Sequence, residues 1–513
     1  MEQFLARHEG NIRGVLHGLD RVLFRGTLRS MAYLAGMNKF LEVHGVLYKE
    51  FSKFVEGVSQ RIKDRARQLA EQHHRPFKYL KSSAISKEDV AQEIAQRDKI
   101  KQGLVCVLSC VEPCQSFALH RNAEKKWLEL VPATRKCLFL YFYFMDREFG
   151  LMHVRLQTWL PMPIQVCLNG REYLAQRLDR AGIGYEKRDN CFTQIDDLPR
   201  AQRMLQSLEQ RDWVRFLNAL AKRVNPWLAA QSGLDLHPYY WTIRQSEYAT
   251  DVMFSDANAL QKIYPALVNH AMQHFRCHDV MRFLGRRTNV RFNGRCDTNV
   301  RSRAEGVRIK HWVEENSIKM YDKQGSVLRI ETTIDNPRRF RVRRAVTRKG
   351  QRQSAWIPMR KSVADLTRRV EICRAANERY LEALGVGGAP APTRHLLDPI
   401  SRRVTCNGRR YRALRPIDPE EARLFTTLLD GTFLLQGFRN RDIRRQTTAH
   451  SDSSVAERKR ASTRITRLLR LLRAHGLISK VSGTFYYRVT AKGNHVMTTA
   501  LRLRELDLHE LAA

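Results

Sequence analysis

Apolar positions in the first hundred residues recur at helical spacing. Phe51, Phe54, Val55, Val58, Ile62 and Leu69 form the stripe of an amphipathic helix. Leu34, Met37, Phe40 and Leu41 mark a shorter helix that Gly45 can end. Within this helical region, residues 20–26 (DRVLFRG) read as a short strand. After residue 100 the pattern becomes short, apolar and rich in aromatic and β-branched residues. Strands are predicted over 104–110, 115–120, 136–145 and 151–159, the last two joined by a hairpin loop containing Gly150. A helix over 171–181 stops at Gly182, and residues 197–224 and 257–284 are again mostly helical. Strand texture returns at 306–334 as a three-stranded meander, broken by EEN and by QG. A helix carrying Val363, Leu366, Val370 and Cys373 then runs to about Leu384.

Gly and Pro without large apolar residues make 385–393 (GVGGAPAPT) a linker. The chain divides into a helical N-terminal region (1–100), a central α+β domain (101–384) with a break near 210–225, and a C-terminal domain (394–513). The predicted fold class is α+β, with a central antiparallel sheet and packed helices.

Charge changes the picture more than length does. The 513 residues hold 90 Lys+Arg against 52 Asp+Glu, a formal net charge of +38. That excess is self-repulsive and points to an anionic partner, nucleic acid first, because phosphate spacing rewards many cationic contacts. DNA is the expected partner, duplex and potentially single-stranded, with RNA open. No apolar run reaches 18 residues, so no membrane partner is expected. The start lacks a signal-peptide core, and ten cysteines without such a signal suit reduced thiols in the cytoplasm. Neither GxxxxGK[ST] nor a strand-linked GxGxxG occurs, so nucleotide-driven motors and Rossmann enzymes have no support.

After the linker the predicted order is a helix (418–429) capped by Asp418, a short strand (TFLLQGF), a short helix (NRDIRRQ), a long helix (454–475), a hairpin and a final helix from 491. This order, with the texture AHGLISKV…YRVTAKG, resembles the MarR-like winged helix-turn-helix family. On the long helix Ile465, Leu468, Leu469 and Leu472 form the core stripe. Arg460, Thr463, Arg464 and Arg467 lie opposite, suited to phosphates and base edges. The hairpin carries Lys480 and Arg488 at the wing position. Upstream, Arg339, Arg341 and Arg343 alternate with Phe340 and Val342, a second basic edge within 338–353.

Candidate chemistry lies in the central region. On the strand LMHVRLQTW, His153, Arg155 and Gln157 share one face. A histidine and glutamine there, with a downstream tyrosine (Tyr173, or the Tyr239–Tyr240 pair), resemble rolling-circle replication initiators of the HUH class, although His-x-Arg-x-Gln departs from their pattern. The resemblance implies metal-assisted tyrosine attack on a phosphodiester. The hairpin KMYDKQGSVLRIETTI resembles the corresponding segment of plasmid and filamentous-phage initiators, which makes Tyr321 and Glu331 further candidates. If Gln324-Gly325 is a two-residue turn, Asp322, Arg329 and Glu331 share a face, opposite Lys319, Tyr321 and Lys323. If RQSEYATD is helical, Glu247 and Asp251 fall on one side as metal ligands for Mg²⁺ or Mn²⁺. Asp20 and Glu331 can complete such a site only if the fold brings them together. The triple Cys106, Cys110, Cys114 suggests zinc by spacing, but lies in a strand where cysteine serves as apolar filler, so zinc is not expected.

Three functions fit. One is a mobile-element or replication protein whose winged helix selects a site while the α+β region cuts nucleic acid. The others are a non-enzymatic winged-helix transcription regulator and an RNA-binding ribonucleoprotein component. The chain as a whole resembles an uncharacterised bacterial family, which implies no activity.

Overall fold

A computed structural model describes residues 1–513 except 125–126, 287–291, 304–305, 349–350, 387–392, 448–454 and 506–513. Most of the predicted linker and two positions of the basic stretch lie outside the described residues. The fold is α+β, built on an eleven-stranded sheet.

The strands of this sheet are β1 (Ile12–Thr27), β2 (Phe77–Leu80), β3 (Gly103–Asn122), β4 (Trp127–Asp146), β5 (Gly150–Gln157) and β6 (Ile164–Asn169). A small hairpin, β7 (Tyr185–Arg188) and β8 (Cys191–Ile195), stands apart. The sheet resumes with β9 (Tyr240–Phe254), β10 (Cys296–Arg303), β11 (Gly306–Val313), β12 (Asn316–Lys323) and β13 (Val327–Ile334). Their order is β10-β11-β12-β13-β9-β1-β6-β5-β4-β3-β2, antiparallel except for the β2–β3 pair.

The region read as mostly helical thus contributes the middle strand. β1 extends well beyond the predicted 20–26 and joins two groups of strands, β2–β6 on one side and β9–β13 on the other. Period-2 reading missed its length because Gly14, Gly18 and Gly26 interrupt the apolar alternation. Each packs where a Cβ would collide: Gly18 lies against Leu205 and Gly26 against Ile164. The two segments predicted at 104–110 and 115–120 are one strand, β3, whose pairing with β4 carries through Val111–Cys114.

Helices cover both faces. Phe51–Gln72 buries Val55, Val58, Ile62 and Leu69 against the main core, and Leu366–Val386 packs on β9 and β13. Lys87–Arg97 covers Cys106, Tyr141 and Tyr143 on β3 and β4. The meander β11–β13 has the predicted strands but not the predicted facing. Its second turn holds three residues, 324–326, between the paired Lys323 and Val327, with Gln324 and Gly325 at φ +58° and +76°. One extra turn residue flips the facing. Lys319, Tyr321, Lys323, Arg329 and Glu331 therefore share one face, while Ile318, Met320, Leu328 and Ile330 fill the core behind them.

The C-terminal unit has its own core around Phe425, Leu428, Leu469, Leu472 and Val496. Its helices are Arg394–Leu397, Pro419–Leu428, Gly431–Gln436, Asn440–Thr447, Val455–Ala474 and Ala491–Glu505, with the hairpin Ile478–Lys480/Tyr487–Val489 between the last two. Asp418 caps Pro419–Leu428, its Oδ1 accepting from the Glu420 N–H at 2.9 Å. The predicted strand TFLLQGF is instead a helix that ends at Gly437 (φ +71°). Only Phe438 bridges to Tyr487. Asp430 at the N-cap accepts from the Thr432 N–H and starts the helix.

Candidate active site and nucleic-acid-binding surfaces

Three carboxylates from distant parts of the chain meet on the polar face of β1, β9 and β13. One oxygen from each of Asp20, Glu247 and Glu331 lies within 4.8 Å of the others. A β-bulge creates the meeting. Between the pairs Leu19–Tyr248 and Val22–Ser246, β1 holds two residues, Asp20 and Arg21, where β9 holds only Glu247. Gly170 closes against the same bulge, its missing Cβ leaving room for the Leu19 carbonyl. RQSEYATD is strand, not helix, because it continues the β-branched and aromatic run of β9 between two antiparallel partners. Positions i and i+4 share a face in a strand as well, so Glu247 and Asp251 do point the same way.

Their environments differ. Asp251 is fully buried, with Oδ1 2.5 Å from Arg329 Nε and Oδ2 2.9 Å from Arg171 Nη2. Burial would raise its pKa, but these two guanidiniums outweigh it and hold the carboxyl below its ordinary value. With both oxygens occupied by arginines, Asp251 is a structural anion rather than a metal ligand. Arg329 also donates to Asp20 Oδ2 at 3.1 Å, and Asn190 donates to Asp20 Oδ1 at 2.7 Å.

The other half of the cluster is short of positive charge. Lys319 Nζ lies 2.5 Å from Glu331 Oε1 and 3.7 Å from Glu247 Oε1, one ammonium between two carboxylates. Glu331 takes most of that charge, and its pKa falls despite burial. Glu247 takes the deficit. Burial first and the Glu331 charge second push it up to about 7. Its side chain is 17% exposed, against 3% for Glu331, so solvent meets the cluster through Glu247. Arg21 and Lys310 are close enough to feel the cluster's charge, the latter with its pKa lowered to about 8 by burial and then by Lys319. Tyr321 donates to Glu331 Oε2 at 2.7 Å, and burial together with that carboxylate raises its pKa well above the ordinary value.

Hard carboxylate oxygens are the ligand type Mg²⁺ or Mn²⁺ takes, and octahedral ligands stand roughly 3–4 Å apart given bonds near 2.1 Å, so oxygens within 4.8 Å would have to draw together around an ion. Among the described residues this is the one cluster of three potential ligands. No residue at the site needs to be recruited from elsewhere to hold one ion. The cation already there is the Lys319 ammonium, which an incoming metal would have to move.

The strand site predicted around His153 does not assemble. His153 is half-buried against the rings of Tyr141 and Tyr143, and burial followed by the nearby arginines lowers its pKa to about 4. Gln157 is buried, its amide donating to the Trp159 carbonyl at 2.9 Å. Tyr173 packs in the main core with Val154 and Leu156, on the opposite face from His153, and shares a hydrogen bond with Ser207. Tyr239 is buried as well, and Tyr240 is stacked under Arg29. An alternating strand set the face of His153 correctly, but that face packs beside Tyr141 and Tyr143, over which helix Lys87–Arg97 lies. Cys106, Cys110 and Cys114 are buried along one strand, successive members roughly 13 Å apart at strand rise, too far to share an ion.

On the C-terminal unit Arg460, Thr463, Arg464 and Arg467 are exposed along Val455–Ala474, and Lys480 and Arg488 are exposed on the hairpin Ile478–Lys480/Tyr487–Val489. Sequence reading missed the hairpin Val404–Cys406/Arg409–Tyr411 beside them. Arg409 and Arg410 join Arg460, Arg464 and Arg467 in lining a groove of about 900 Å³. In the basic stretch Arg339, Arg341 and Arg343 are exposed while Phe340 is buried, as alternation predicts. No described helix is long and apolar enough to cross a membrane. No protein-family model, curated protein or solved structure matches this chain.

Proposed function

We propose that this protein binds DNA and cleaves its backbone with a divalent metal held by Asp20, Glu247 and Glu331. The observation that carries the reading is the convergence of three carboxylates, one short of a countercharge, with the cations Arg21 and Lys310 close enough to feel their charge. Those cations would attract a scissile phosphate, and a divalent ion held by Asp20, Glu247 and Glu331 would supply Lewis-acid chemistry there. Without an ion, Glu247 has its pKa raised to about 7 by burial and by Glu331, so it would take up a proton near neutral pH, whereas as a ligand it would be held ionised. Tyr321 is the alternative nucleophile. Its phenol oxygen would attack phosphorus, pass its proton to Glu331 and displace the 3′ oxygen, leaving a 5′-phosphotyrosyl link. The exposed arginines of the long C-terminal helix and of 339–343 hold the nucleic acid.

The test is incubation of the full chain with supercoiled DNA, single-stranded DNA and RNA in Mg²⁺ or Mn²⁺. Metal-dependent nicking lost in Glu247→Gln and Glu331→Gln is the expected result. A covalent protein–DNA band lost in Tyr321→Phe assigns the tyrosine, and cleavage without a band assigns water. Absence of cleavage on every substrate and metal overturns the catalytic reading.

Lys319 favours a second reading, a binding-only protein in which its ammonium neutralises the cluster permanently. In that case Lys319→Met would destabilise the fold at every Mg²⁺ concentration, whereas a metal site would be rescued by Mg²⁺.

A further inference from the structure

The C-terminal unit does not hang free of the sheet domain. Gly431 packs so closely on the Arg286 carbonyl that a Cβ there would lie 2.1 Å from it, and Gly285 approaches Leu435. Beside this contact the two units enclose a cleft of about 880 Å³. Its charge is one-sided. Arg286, Arg338, Arg339 and Arg341 come from the sheet domain and Arg441 and Arg445 from the short helix of the C-terminal unit. Against these six stand only Glu314 and Asp442. Glu314 is already shared by Arg286 at 3.1 Å and Arg339 at 3.2 Å, and Asp442 caps its own helix through the Arg439 N–H. Among the described residues neither Arg338 nor Arg445 has an acidic partner.

Charge alone would suit any polyanion, but the cleft also carries rings. Trp356, Phe292 and Tyr486 line it, each half-buried with one part of its surface open. Arg368 lies 5.2 Å from the Trp356 ring, Arg286 5.4 Å from Phe292, and Arg439 4.0 Å from Tyr486. Rings already backed by guanidinium groups offer flat platforms to bases, and bases reach such platforms only when unpaired. A duplex hides its base faces and would meet the arginines but not the rings. We propose that this cleft holds single-stranded nucleic acid, its phosphates on Arg338, Arg441 and Arg445 and a base stacked on Trp356. The site is separate from the carboxylate cluster and shares with the proposed function only the premise of a nucleic-acid partner. Both units contribute, so a strand in the cleft lies beside the hairpin that carries Lys480 and Arg488.

The experiment is fluorescence anisotropy with the full chain in EDTA, which removes cleavage from the measurement. Labelled dT20, rU20 and a 20-base-pair duplex are titrated over a range of salt. Trp356→Ala is expected to weaken single-strand binding by about five- to a hundredfold while sparing the duplex, and Trp356→Phe to retain most of it. Arg338→Ala with Arg445→Ala should reduce the single-strand salt slope by about 1.4, near 0.7 for each phosphate no longer neutralised. The dT20 and rU20 arms show which sugar is preferred. Unchanged single-strand affinity in both the Trp356→Ala and the double-arginine variants overturns the assignment. So does an equal loss on duplex and single strand, or no binding of either oligonucleotide by the wild type. Should Trp356→Ala fail to fold, the double-arginine variant decides.

Discussion

Glu247 and Asp251 sit four residues apart on one face of one strand, yet their surroundings give them opposite protonation behaviour. Asp251 has two arginines and stays ionised; Glu247 shares one lysine with Glu331 and is raised to about 7. A carboxyl whose folded pKa is raised binds a proton more readily in the folded state. Its contribution to stability is therefore complete below about pH 4.5 and is lost as pH rises to about 7. Glu247→Gln should flatten that fall and, above pH 7, unfold at higher urea than the wild type. The gain is on the order of 2–3 kcal/mol, read by urea titrations at pH 5 and pH 8. Mg²⁺ should stabilise the wild type at pH 8 more than at pH 5, where protons compete, and should not stabilise the glutamine variant. Arg329 carries the opposite risk. Arg329→Met leaves Asp251 and Asp20 buried with less countercharge and should cost about 3–5 kcal/mol in the same titrations.

At the scale of elements, two one-residue irregularities decide which charged side chains meet. The β1 bulge sets Asp20 opposite Glu247, and the third turn residue, Ser326, brings Lys319, Tyr321 and Glu331 to the same face. The Ser326 carbonyl also accepts from the Phe254 N–H at 2.8 Å, so the turn is tied to the end of β9. Deleting Ser326 would restore the two-residue turn and drive either charged residues into the core or apolar ones out of it. Loss of the cooperative thermal transition, followed by circular dichroism, is the expected outcome. A variant that melts like the wild type would show that the register does not depend on this turn. On the long C-terminal helix, Arg460, Arg464 and Arg467 stand clear of the core. Replacing all three with Ala should lower duplex affinity at least tenfold without shifting the melting temperature by more than a few degrees. Arg464 pairs only with the exposed Glu420, an ion pair worth little to stability.

For the whole molecule, the relation between the two units is set by close backbone approach at Gly431. Gly431→Ala adds one methyl against the Arg286 carbonyl and should push the C-terminal unit off the sheet domain, a strain of about 1–3 kcal/mol. Small-angle scattering should record a larger radius of gyration. Single-strand binding in the cleft should weaken along with it, while the share of duplex binding carried by Arg460, Arg464 and Arg467 should persist. With a net charge of +38, any binding to duplex or single strand should weaken steeply as salt rises.

Local pattern carried a large share of this protein. The stripe of Phe51–Gln72, the meander strands, the cap at Asp418, the stop at Gly182 and the exposed arginines of 460–467 all follow from periodicity and capping chemistry among near neighbours. Charge pointed to an anionic partner without any structure. Pattern failed where an outcome depended on a distant segment. Whether His153 faces solvent depended on the rings of Tyr141 and Tyr143 beside it, and whether TFLLQGF became strand or helix depended on Asp430 capping it and Phe438 reaching Tyr487. Asp20 was singled out only as a residue awaiting the fold, together with Glu331. What joined them to Glu247 was strand order, which places segments 311 residues apart on either side of β9, and a bulge that no period of 2 can reveal. Side-chain periodicity is a property of neighbouring residues, whereas countercharge, register and exposure are properties of what packs across the sheet.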